Sequence, residues 1–259
     1  MPAAPPLLSV VIITFNEAQN LPRCLRALAG LGAADVLVLD SGSTDDTREI
    51  AVAAGARVEV QPFLGYVAQK NRATALARHD HILQLDADEE LTEALRAEIR
   101  ATLAAWQHPA YALPRLTNYG GTWVRHGGWY PDWQTRLYDR RLGAWHGELL
   151  HERYANHDGA APARLRADLR HYSYPTISDH WRQLDRFTTL RAGQLRQQGK
   201  QATWAHLLLK PWWKLLHGYV LRGGFRDGFA GLSIAVLSSV GVFLKYAKLR
   251  ATPTPAARP

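Results

Sequence analysis

The chain has 259 residues, 47% of them hydrophobic and 21% charged, enough for one large α/β domain with an appendage or for two small domains, and too apolar for a disordered protein. Cys24 is the single cysteine, which excludes a disulfide framework and, with no Cys/His cluster of zinc spacing, suits a reducing compartment. The net charge of +8 belongs to residues 200–259, where nine Lys and Arg meet one acid, Asp227; the preceding residues balance at 22 charges of each sign, which argues against a general nucleic-acid surface and points the basic, Trp-rich end at an anionic membrane.

Met1–Pro6 lacks the basic region of a signal peptide, and Leu7–Phe15 (LLSVVIITF) has the near-continuous β-branched pattern of a strand buried on both faces of a parallel sheet. It runs into Thr14-Phe-Asn-Glu17, where Asn16 is a good cap for a helix carrying Leu21, Leu25 and Leu28 up to Gly30. Val36–Asp40 is a second buried strand, and Ser41–Thr47 leads into a helix with Ile50, Ala51 and Ala54. Two βα units of like build make a parallel, right-handed sheet the economical solution. Val58–Val60 is a short strand, and Gly65–Arg72 opens a helix that runs through Arg78 to a strand at His81–Asp88. Period-two spacing puts Asp86 and Asp88 on one face of that strand. Thr92 can cap a further helix with Leu95, Ile99 and Leu103 on one side.

Polar residues after each strand make this a nucleotide-binding layout, with acids at the carboxyl edge of the sheet. There is no G-x-G-x-x-G after the first strand and no P-loop pattern, so dinucleotide and P-loop binding are unsupported. From Tyr111 to Tyr154 nine Trp and Tyr stand among turn-forming glycines, either as core or as a stacking platform for sugar rings, with short strands expected over Arg136–Tyr138 and Gly143–His146. Ser178–Gln198 reads as a helix whose polar face holds Arg182, Arg186, Arg191 and Arg196. Trp204–Leu221 is amphipathic, and the 17 uncharged residues of Gly228–Leu244 fall short of the 20 or so that a span needs, so both are expected to lie in a membrane interface. Ala251–Pro259 is Pro-rich and expected to be disordered.

Hard cations are held by one or two carboxylates plus substrate phosphate oxygens, which makes Asp88 the leading candidate metal ligand and Asp86 a second contact to metal or ribose. Asn16, Glu17 and Asp40 offer donors and acceptors to a nucleobase and ribose, although Asn16 also reads as a helix cap and Asp40 as a turn residue. Lys70 is placed to meet phosphate charge with Asn71 beside it, and Glu89 reads as an N-terminal helix charge. Outside the Asp-x-Asp, the carboxylates available as general base are Glu152, Glu148 and Asp132.

Taken in order, Thr14-Phe-Asn-Glu17, Asp40-Ser-Gly-Ser-Thr-Asp45, Gln69-Lys-Asn71 and Asp86-Ala-Asp-Glu89 resemble the family 2 inverting glycosyltransferases of GT-A fold. Trp129–Trp133, Arg136-Leu-Tyr138, His151-Glu152 and His171-Tyr-Ser-Tyr174 are similar to the branch containing bacterial lipopolysaccharide core β-1,4-glucosyltransferases. The resemblance implies a nucleotide-diphospho-sugar transferase fold with a mostly parallel central sheet and C-terminal amphipathic, membrane-associating helices. It implies a UDP-sugar donor, UDP-glucose by likeness, a lipid-linked oligosaccharide acceptor, Mg²⁺ or Mn²⁺, and a peripheral place on the cytoplasmic face of the bacterial inner membrane. By position Thr14, Asn16, Glu17, Asp40, Ser41, Lys70, Asn71 and Asp86 would bind the nucleotide sugar, Asp88 and His171 the metal, and Glu152, with Asp132 second, would be the base. His151 stands where many relatives carry a second acid. The division expected is 1–110 for the donor, 111–199 for the acceptor, 200–250 for the membrane and 251–259 as tail. A sugar nucleotidyltransferase would show a Gly-rich, basic loop after the first strand, and Thr14–Asn20 has none. A non-enzymatic membrane-binding or nucleic-acid-binding protein would leave the acidic strand ends unexplained.

Overall fold

The computed structural model describes residues 5–147 and 152–251; Glu148, His151 and the Pro-rich end from residue 252 lie outside the described residues. In chain order the elements are β1 (Leu8–Thr14), α1 (Leu21–Arg26), β2 (Asp35–Asp40), α2 (Thr47–Ala53), β3 (Arg57–Val60), α3 (Tyr66–Leu76), β4 (His81–Asp86), β5 (Glu89–Leu91), α4 (Glu93–Ala104), β6 (Ala110–Tyr119), β7 (Thr122–Val124), β8 (Asp132–Asp139), β9 (Gly143–His146), β10 (Arg153–Asn156), β11 (Ala163–Arg164), β12 (Leu169–Tyr174), α5 (Ile177–Gln197), α6 (Trp204–Leu216) and α7 (Gly228–Ala251). They form two compact units, one of the residues up to Arg115 with Asp132–His171, the other of Leu116–Pro131 with the residues from Tyr172 on.

The sheet runs β3-β2-β1-β4-β8-β6-β12-β5. Strands β1 to β4 are parallel, as two successive βα units require, and β8 enters antiparallel against β4. Alternate residues of β1 serve opposite cores: Val10 and Ile12 pack with Leu21, Leu83 and Leu95, while Val11 packs with Leu37, Leu39 and Tyr138. A strand covered on both faces needs apolar residues at every position, which explains the unbroken run.

Four local expectations change. The first helix starts at Leu21, and Asn16 is not its cap; Asn16 takes a left-handed conformation at φ 55° and its amide oxygen accepts from Thr44 N at 2.8 Å. Asn tolerates this conformation because its short side chain hydrogen-bonds locally. The fourth strand ends at Asp86, so Asp88 stands in the following turn rather than on a shared strand face. Glu89 begins β5, which pairs antiparallel with β12, and is a buried strand residue rather than a helix-end charge. Residues 110–119 form one ten-residue strand where only short pieces were expected, because its partner β8 is supplied from more than a dozen residues further on.

In the second unit the end of β6 pairs with β7, and Tyr119, Val124, Ala230 and Ile234 share a small core. Helix α7 packs on α5 and α6 and passes so close to Gly224 that a Cβ on Gly231 would fall 1.8 Å from its carbonyl oxygen. The basic end stays helical, and Gly224–Ala251 is a 28-residue helical stretch long and apolar enough to cross a membrane by length and composition.

Candidate active site

Parallel register sets three strand ends level, with Thr14 opposite Asp40 and Ile13 opposite Asp86. Asp40 is fully buried and accepts from Thr14 Oγ1 at 3.1 Å, Gly42 N at 2.9 Å, Ser43 N at 2.8 Å and the Ser43 hydroxyl. Its carboxylate therefore shapes the loop after β2. Asn16 N donates to Ser43 Oγ at 2.8 Å, Glu17 N to Thr47 Oγ1 at 2.8 Å and Ala18 N to Asp45 Oδ2 at 3.2 Å, so the loops after β1 and β2 are latched into one rim. Ser41 Oγ accepts from Gln69 Nε2 at 3.1 Å, which ties α3 to that rim. Burial pushes the Glu17 carboxyl up to about 7; the Asn20 amide, donating at 2.9 Å, opposes this, and the charges of Asp88, Asp86 and Asp45 reinforce it.

Behind the rim lies a charged cluster. Lys70 on α3 is 3% exposed, with Nζ 3.4 Å from Glu152 Oε1, 3.8 Å from Asp86 Oδ1 and 4.5 Å from the centroid of the Trp145 ring. A buried ammonium is tolerable only with such partners. Asn71, next in the helix, donates to Trp145 O at 2.9 Å and accepts from Trp145 N at 3.0 Å, so its amide clamps β9 in place.

Arg136 on β8 is 1% exposed, and its Nη2 reaches both Asp86 Oδ2 and Glu89 Oε1, the latter at 2.6 Å. Asp86 N donates to Glu89 Oε2 at 3.1 Å, closing the turn that carries Asp88. Arg115 lies 3.5 Å from Glu89 and grips Asp132 Oδ2 through Nε at 2.9 Å and Nη2 at 2.6 Å, while Gln134 donates to Asp132 Oδ1 at 2.8 Å. Burial alone would raise the Asp86 carboxyl; Arg136, then Lys70, Arg115 and His171, hold it well below the usual carboxylate range.

Asp88 Oδ2 and His171 Nε2 stand 3.1 Å apart, one from the β4–β5 turn and one from β12. Among the described residues no third His, Cys, Asp or Glu joins them in a metal-holding group. A carboxylate and an imidazole converging beside an acid-rich cluster suit a divalent cation that takes its other ligands from a diphosphate and water.

The glycosyl transferase family 2 pattern matches residues 9–166, well over half of the chain. The chain belongs to glycosyl transferase family 2. An uncharacterized glycosyltransferase of Rickettsia prowazekii is 30% identical to this family 2 chain over 94% of its length and 86% of the relative's. The lipopolysaccharide core biosynthesis glycosyltransferase LpsC of Rhizobium meliloti is 29% identical over 97% of this chain and 95% of its own. Among solved structures, glucosyl-3-phosphoglycerate synthase from Mycobacterium tuberculosis with Mn²⁺, UDP and phosphoglyceric acid overlaps 44% of each chain at 24% identity and a TM-score of 0.37.

In this glycosyltransferase the GT-A fold read from the motifs is the fold observed, and Thr14, Asn16, Glu17, Asp40, Ser41, Lys70, Asn71, Asp86, Asp88, Asp132, Glu152 and His171 all lie in the first unit. Lys70, Asp86 and Glu152 meet directly, as do Asp88 and His171; Asp40, Asn16 and Asn71 have side chains bonded to the surrounding loops and strand. Arg136, Arg115 and Trp145 complete the cluster without having been named as site residues from sequence, and Glu89, read there as a helix-end charge, joins them. The signal available for Arg136 was a lone cation inside the strand pattern Thr135-Arg-Leu-Tyr138.

Proposed function

We propose that this family 2 glycosyltransferase moves a hexose, glucose by likeness, from a UDP-sugar to a lipid-linked oligosaccharide such as the lipopolysaccharide inner core, with inversion and with Mg²⁺ or Mn²⁺. The convergence of Asp88 with His171, beside Lys70, Asp86 and Glu152 at the strand ends, carries this reading. The match to LpsC over nearly the whole of both chains supports the acceptor class.

Asp88 and His171 would hold the cation, which neutralises the departing diphosphate when bound. The rim formed by Thr14–Ala18 and Ser41–Thr47 receives nucleobase and ribose, and Lys70 adds a fixed positive charge near the phosphates. Inversion requires a single displacement: the acceptor hydroxyl oxygen bonds to the anomeric carbon as its bond to UDP breaks, and a carboxylate takes the hydroxyl proton. Glu152 suits that task better than Asp132, since Lys70 orients Glu152 through one 3.4 Å contact while both Asp132 oxygens are engaged by Arg115 and Gln134. The basic, Trp-rich region 200–250 would hold the enzyme at the anionic cytoplasmic face of the inner membrane, where a lipid-linked acceptor arrives.

The decisive measurement is UDP release from UDP-glucose with a heptose-bearing core lipid. Glu152→Gln should lower kcat by about 10²–10⁴ and Asp88→Ala should abolish the response to Mn²⁺. Undiminished transfer by both variants would refute the site.

A further inference from the structure

The ladder of β5 and β12 pairs His171 with Glu89 and Arg170 with Glu90. Side chains alternate along a strand, so Arg170 and Glu90 occupy the face turned away from Asp88 and His171. On that face lies a cleft of about 530 Å³ lined by Arg23 and Arg26 of α1, Arg96 of α4 and Arg170 of β12, with Glu90 and Glu93 as its acids. Four guanidiniums meet two carboxylates, and the contact between Arg170 Nη1 and Glu90 Oε2 is long at 3.7 Å. The walls therefore carry an excess of two positive charges.

Two of these arginines are already anchored. Arg23 Nη2 donates to Asn20 Oδ1 at 2.7 Å and Arg96 Nη1 to Ala27 O at 3.1 Å, and both side chains are half-buried. A guanidinium held in place by such a contact loses little further freedom on binding an anion. Planar forks converging on one hollow match the tetrahedral oxygens of phosphate better than point charges do. The volume exceeds what a bare ion requires and accommodates a phosphoryl group with its substituent.

We propose that this cleft is a phosphoryl-binding site, separate from the diphosphate position at Asp88 and His171. Its ligand is either a phosphate carried by the acceptor or free phosphate. The first source rests on the transfer reading above, where remote binding of non-reacting parts of a substrate contributes to catalysis; the binding itself does not depend on that reading.

The test uses the full chain. Inorganic phosphate is titrated calorimetrically into wild type and Arg26→Gln/Arg96→Gln, with and without saturating UDP, and each thermal midpoint is recorded. Wild type should bind phosphate equally well with UDP present, and the double variant at least about ten-fold more weakly. If the double variant fails to fold, Arg26→Gln alone, at an exposed position, carries the comparison. Transfer is then assayed with a phosphorylated acceptor and the same acceptor after phosphatase treatment. A KM raised about ten-fold by the double substitution only for the phosphorylated form, at unchanged kcat, identifies the acceptor as the source. Equal KM for both forms, with added phosphate altering the wild-type rate alone, identifies free phosphate. Displacement of phosphate by UDP, or equal affinity in wild type and variant, overturns the proposal. Because the titration needs no turnover, an enzyme inactive with UDP-glucose refutes the transfer reading and leaves this one to stand or fall by itself.

Discussion

Arg136 sits between two carboxylates with one guanidinium nitrogen, while its Nε and Nη1 are buried without a hydrogen-bond partner among the described residues. Its value is electrostatic: it makes the company of Asp86 and Glu89 tolerable in a site that already holds Asp88, Asp132 and Glu152. Replacing it by Met keeps the bulk but leaves Asp86 with Lys70 at 3.8 Å and Glu89 with Arg115 at 3.5 Å as their remaining cations, and breaking buried pairs in this way costs up to about 3–5 kcal/mol. Urea unfolding of Arg136→Met at neutral pH should show a loss of that size. The loss should also depend on pH. Asp86 has a depressed carboxyl, so the stability its contacts supply is complete above the ordinary aspartate range and disappears as pH falls through and below it. The gap between wild type and variant should therefore narrow below pH of about 4, and a gap independent of pH would show that Asp86 is not the partner that matters.

Helix α3 and hairpin β9–β10 act together through one side chain. Asn71 satisfies both the N–H and the C=O of Trp145, whose ring lies against Lys70. The hairpin is equally tight on its other side, since a Cβ on Gly143 would lie 2.5 Å from Ala155 O. Asn71→Ala leaves two peptide groups unpaired, at about 1–3 kcal/mol each where water cannot reach them. Amide exchange at Trp145 should accelerate by at least about ten-fold, and a lower UDP affinity should accompany it as Lys70 loses its wall. Unchanged exchange would mean that β10 alone holds the strand. Elements of this kind resist reading from sequence because Asn71 on a helix and Trp145 on a strand are 74 residues apart.

At the scale of the molecule, the second unit presents apolar surface that no described residue covers. Trp212 is 72% exposed and Phe229 73%, with Trp204, Leu209 and Trp213 also exposed and Lys210 and Lys214 on the same helix as Trp212. Exposed patches of this sort mark membrane or partner surfaces, and aromatic rings beside lysines suit the headgroup level of an anionic bilayer. Trp212→Glu/Phe229→Glu should reduce co-sedimentation with phosphatidylglycerol vesicles at least about ten-fold, while donor hydrolysis in solution persists. Sedimentation equal to wild type would refute a role for this face in membrane binding.

The buried strands β1, β2 and β4, the cap at Thr92 and the acids at the strand ends were legible because each is written in a short stretch: a run of β-branched residues, a threonine three residues before the amide it caps, a carboxylate where an apolar run stops. Thr14, Asp40 and Asp86, singled out by their motifs, stand at the ends of neighbouring strands of one sheet. What the tertiary structure alone decided was which charge answers which. Lys70 meets Glu152 across 82 residues, Asp88 meets His171 across 83, and Asp86 meets Arg136 across 50. The alternation of a strand declares which face a side chain takes, but not which distant strand will lie beside it, and burial then obliges every charge to find its partner across that gap.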